Sequence, residues 1–95
     1  MTRSEKKELI TNIQTTICLF YKELLFMPRC EGYQKDLLFV GFDVEQARRE
    51  IKRISSDLNC DSTPDYKLTA YSNRTLEILE ELLCAQMTVQ EYKNL

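Results

Sequence analysis

The chain has no histidine and no tryptophan, and only two glycines and two prolines in 95 residues. Histidine is the side chain that titrates nearest neutral pH, so without it general acid-base chemistry falls to carboxylates, tyrosines or a lysine. No pair of these lies in an apolar setting that would retune a pKa, and the expectation is a protein that is not an enzyme. Average usage would give roughly ten glycines and prolines together. Four leave few turns, which favours long helices and rules out a glycine-rich phosphate loop. No run approaches the ~18 uninterrupted apolar residues of a membrane span. Arg3, Lys6 and Lys7 lie near Met1, but Glu5 and Glu8 interrupt them and no small-residue cleavage site follows, unlike a signal peptide. A cytoplasmic protein without a membrane partner is expected.

The four cysteines, Cys18, Cys30, Cys60 and Cys84, include no C-x-x-C pair. Zinc sites draw on closely spaced pairs on loops, whereas Cys18 and Cys84 fall within expected helices. They are read as buried, reduced thiols; the competing reading, for an oxidising setting, pairs Cys30 with Cys60 on their loops. Glu77, Glu80 and Glu81 lack the E-x-x-H of a di-iron site and read as an exposed acidic face. No metal and no cofactor are expected.

Among what is present, the stretch from Ile17 to Met27 stands out, because only Lys22 and Glu23 interrupt its apolar character. Such a helix needs cover on more than one side. Thr2 and Glu5 have capping-box spacing and start helix 1. Ile10, Ile13, Ile17, Phe20, Leu24 and Met27 then form one seam, until Pro28 ends the helix. Cys18, Leu19, Leu25 and Phe26 form a second group on the far side. Tyr33, Leu37 and Val40 space a short second helix, with Gly41 and Phe42 as its left-handed cap. The competing reading, a strand over residues 37–40, has no other strand to pair with.

Asp43 with Gln46 caps a third helix, whose stripe is Ala47, Ile51, Ile54 and Leu58. Thr63, Pro64 and Asp65 read as N-cap, first-turn proline and first-turn acid of a long fourth helix. Leu68, Leu76, Leu79 and Leu83 make one stripe on it, beside Tyr71, Thr75, Ile78 and Leu82. Thr88 with Glu91 again has capping-box spacing, predicting a break near Met87 and a short final turn. The expectation is therefore an all-α chain: a compact antiparallel bundle of four main helices at about 3–27, 31–40, 44–58 and 64–86, forming one domain. Helices 1 and 4 are its expected antiparallel partners, with helices 2 and 3 packed across them.

A net charge of -2 and a pI near 5.2 disfavour general attraction to nucleic acid. The basic group Arg48, Arg49, Lys52 and Arg53 is interleaved with acids, and Glu45–Arg49 and Arg53–Asp57 are the expected ion pairs. It reads chiefly as a solvated helix face. The competing reading makes helices 2 and 3 a helix-turn-helix that binds nucleic acid or an acidic partner through this face. The favoured function is an interaction module, a regulator, inhibitor or adaptor that occupies a protein partner or a second copy of itself. Leu19, Leu25 and Phe26 are its expected contact residues.

In size and in its expected antiparallel helices, the chain resembles the small immunity proteins that protect bacteria from their own bacteriocins. That likeness implies action by binding. Leu19-Phe20-Tyr21-Lys22 approaches the L-Y-R signature of small mitochondrial helical proteins, but Phe20 splits the Leu-Tyr pair and lysine stands in place of arginine. That comparison is set aside.

Overall fold

A computed structural model describes residues 1–28, 31–59 and 61–94, apart from the side chain of Glu31. It contains α1 (Arg3–Phe26), α2 (Glu31–Phe39), α3 (Val44–Asp57) and α4 (Asp65–Lys93), with no strand among the described residues. The expected all-α bundle of four helices is the fold.

Local chemistry sets most of the helix ends. The Thr2 hydroxyl accepts from the Glu5 backbone N–H at 3.1 Å and donates to the Glu5 carboxylate at 3.0 Å, opening α1. Asp43 accepts from the Gln46 N–H at 3.1 Å and opens α3. Between them, α2 closes in a Schellman turn. Gly41 N–H donates to Leu38 C=O and Phe42 N–H to Leu37 C=O. Gly41 takes φ +97°, where a side chain would be strained, and Phe42 and Leu37 are both buried.

Two helix ends depart from expectation. Thr63 does not cap α4. It is buried beneath the preceding loop, donating to Asp57 C=O and accepting from Asn59 N–H, and Pro64 occupies the N-cap position. Nor does α4 break near Met87. The Thr88 hydroxyl turns back to Cys84 C=O at 2.9 Å, as a mid-helix threonine does, and the helix runs on to Lys93.

The long helices run parallel, not antiparallel. The amino terminus and Lys6 both reach Asp65, at 3.2 and 3.4 Å, so the two starts lie together. At the other end Phe26 and Met27 share a cleft with Gln86, Val89 and Gln90. The chain returns between them through α2 and α3. Asp57 pairs with Lys67 and Glu50 with Arg74, so α3 runs antiparallel along α4. Lys93 contacts both Asp36 and Tyr33, and Val40 shares a groove with Val89 and Tyr92. α2 thus meets α4 at its last turns and also packs against α3. Consecutive legs are antiparallel, while the first and last are parallel because the return leg is interposed.

The radius of gyration is 15.2 Å and the extents are 51 × 20 × 19 Å. A compact chain of this length would have a radius of about 12 Å. The bundle is therefore a rod, as long as α4 with its flanking loop. Phe20, Ile13, Leu37, Ile51, Ile54, Leu68, Ile78 and Leu82 are fully buried along its axis.

Glu50 accepts from Arg74 Nε at 2.8 and 2.9 Å, tying α3 to α4. This guanidinium holds the Glu50 carboxyl below the usual carboxylate range, against the upward push of partial burial. A folded-state pKa below the unfolded one stabilises the protein above the unfolded value, and that contribution is lost as pH falls through the folded value. Stability measured in urea is expected to fall below about pH 4.5, and to fall less steeply in Glu50→Gln.

Candidate functional site

The contact residues expected on α1 are all exposed: Leu19 at 46%, Leu25 at 59% and Phe26 at 75%. The far side of helix 1 is thus not enclosed, and the three do not form one patch. Leu19 and Phe26, seven positions apart, point within about 20° of each other, while Leu25 lies about 100° from Phe26. Leu25 belongs to a separate flank with Tyr21 and Cys18. Contact of α1 with α4 dominates the packing, so the flank beside α4 is the one that acquires neighbours.

On α4 the counterpart is a row that sequence reading did not single out as a site. Leu76, Leu83 and Met87 are exposed, and Leu79 is half-buried. Leu76 and Leu83 were expected on the inward face, but Leu68, Thr75, Ile78, Leu82, Ala85 and Val89 take that role. The spacing 76, 79, 83, 87 places the row on one flank of α4. Lys67, Tyr71 and Arg74 engage α3 on the opposite flank.

The register of the two parallel helices then assembles the halves. Lys6 stands at the level of Asp65, and Phe26 at that of Gln86 and Gln90. At 1.5 Å per residue in both helices, Leu19 lies at a height between Leu76 and Leu83, and Phe26 near that of Met87. Leu19, Phe26, Leu76, Leu83 and Met87 therefore flank one shallow apolar strip on the side of the rod away from α3. It ends in an open cleft of about 440 Å³ with Phe26, Met27 and Val89 among its walls and Glu23, Gln86, Gln90 and Lys93 among its polar groups. Tyr33 completes the cleft. Burial pushes its hydroxyl above the usual tyrosine range, Asp36 and Glu23 add to this, and Lys93 opposes it.

Arg48, Arg49, Lys52 and Arg53 are exposed on the outer side of α3. The expected Glu45–Arg49 and Arg53–Asp57 pairs do not form. Glu45 meets Arg48 at 3.9 Å, and Asp57 faces α4, where it pairs with Lys67 and accepts a hydrogen bond from the Tyr71 hydroxyl. That bond also raises the Tyr71 pKa. Partners across the helix interface have displaced partners along the helix.

The thiol expectation is corrected as well. Cys18 and Cys84 are free and exposed, because each falls on an outward face of its helix, while Cys30 and Cys60 lie outside the described residues. Native protein is expected to alkylate at Cys18 and Cys84 nearly as fast as denatured protein, which peptide mapping by mass spectrometry measures. Among the described residues no three Cys, Asp or Glu side chains converge where they could hold a metal ion. No helix of the described residues is long and apolar enough to cross a membrane.

Comparisons with protein-family models, with curated proteins and with solved structures returned no match.

Proposed function

We propose that this protein is a non-enzymatic interaction module whose binding surface is the strip between α1 and α4. The observation that carries this reading is the alignment of Leu19 and Phe26 with Leu76, Leu83 and Met87 on two helices already held in register. Single exposed apolar residues are ordinary on protein surfaces, whereas contiguous apolar patches mark interaction sites. The strip has features of a binding surface: apolar side chains from both helices, an outer border that includes Lys22 and Glu80, and a cleft at one end where Glu23 and Gln90 supply polar groups. The strip is carried on two continuous, hydrogen-bonded helices and not on loops, which limits the ordering cost of binding.

Affinity capture from host cells, comparing the native chain with Leu83→Lys/Met87→Lys, tests the reading. The native chain is expected to retain a stoichiometric partner that the double variant loses. Retention by both, with both folded by circular dichroism, would overturn it.

A further inference from the structure

We infer that the strip is closed by a second copy of this chain, in an isologous dimer whose two-fold axis runs along the helices. The inference rests on the reading of the strip as the binding surface and adds the identity of its occupant.

Area comes first. At their observed exposures, the five strip residues leave apolar surface on the order of 500 Å² per chain. Two copies would bury on the order of 1,000 Å² from these residues alone, the threshold of a specific interface before its polar border is counted.

The placement of α1 and α4 side by side is compatible with two-fold symmetry. A two-fold axis along the rod sets α1 of one copy against α4 of the other without changing any residue's height. Leu19 then stands opposite the gap between Leu76 and Leu83 of the partner subunit, and Phe26 opposite Met87 of the partner subunit. Each copy offers both halves of the contact, as an isologous interface requires.

Charge supplies the third observation. Lys22 lies on the outer border of the strip on α1, between Leu19 and Phe26, and Glu80 on the outer border on α4, between Leu76 and Leu83. Both are exposed, and neither has an ion pair among the described residues. The same two-fold operation brings Lys22 within about one helical turn of Glu80 of the partner subunit, twice per dimer. Within one chain the two side chains lie on opposite edges of the strip.

Sedimentation equilibrium of the full chain from about 1 to 100 μM tests the inference, the expected dissociation constant being on the order of micromolar. Lys22→Glu alone and Glu80→Lys alone are expected to weaken the dimer about ten-fold each, and the charge-exchanged pair to restore it. A native chain that stays monomeric throughout overturns the second copy as occupant. A native dimer whose charge-exchanged variant stays as weak as the singles overturns the two-fold arrangement. The capture experiment reads the strip independently: a native monomer whose captured partner is lost in Leu83→Lys/Met87→Lys rejects only the second copy.

Discussion

Replacing Phe20 by alanine is expected to destabilise the fold by about 3–5 kcal/mol. Phe20 is fully buried in the C-terminal third of α1, in the cluster that includes Ile51, Ile78 and Leu82. Truncation removes the transfer energy of the ring and leaves a cavity that three rigid legs cannot collapse to fill. A domain of this size has about 5–10 kcal/mol in total. The variant should therefore melt about 20 °C lower, and its urea midpoint should fall in proportion. The same truncation at Phe26, six positions later, is expected to cost under about 0.5 kcal/mol, since that ring is exposed. Equal losses at the two positions would mean that Phe26 is inside and α1 is rotated from the orientation described.

The second large effect is on binding. Leu83→Lys/Met87→Lys is expected to weaken partner binding by at least about 100-fold, because it places two ammonium groups in the centre of a surface that must be desolvated. Stability should change little, since both side chains already meet solvent. Calorimetry with the captured partner, or with the native chain itself, measures the first, and urea unfolding the second. The native interaction should also show a negative heat-capacity change, the mark of apolar burial. Weakened binding that tracks lost stability would assign the two residues to the core.

The contrast between Phe20 and Phe26 shows what was legible in the sequence. Seam periodicity identified Ile13, Ile17, Phe20 and Leu24 as the inward face of α1, and Asp43, Gly41 and Thr2 marked turns from their own chemistry. These are local signals, decided within a few residues. The parallel run of α1 and α4 was not local. Two wide apolar faces predict a pairing but not its direction, and direction followed from how α2 and α3 fill the return path.

The site was half legible for the same reason. An excess of apolar residues on helix 1 pointed to Leu19 and Phe26, and the same excess on helix 4 was present in Leu76, Leu83 and Met87. Read with helices 1 and 4 antiparallel, the leucines of helix 4 looked like the cover for helix 1 and so were assigned to the core. Leu25 joined the site only because sequence spacing was not resolved into flanks. Thr88 shows the opposite error, in which a capping-box spacing within a well-packed helix was satisfied by back-bonding instead.

The most direct measurement of the central claim is the rate at which peroxide oxidises Met87. Met87 is 62% exposed, while Met27 is buried and serves as the slow internal reference. In dilute purified protein Met87 should oxidise much faster than Met27. In host extract at native abundance, where the strip is covered, its rate should fall at least about ten-fold toward that of Met27. An undiminished Met87 rate in the extract would contradict the assignment of this strip as the surface through which the protein acts.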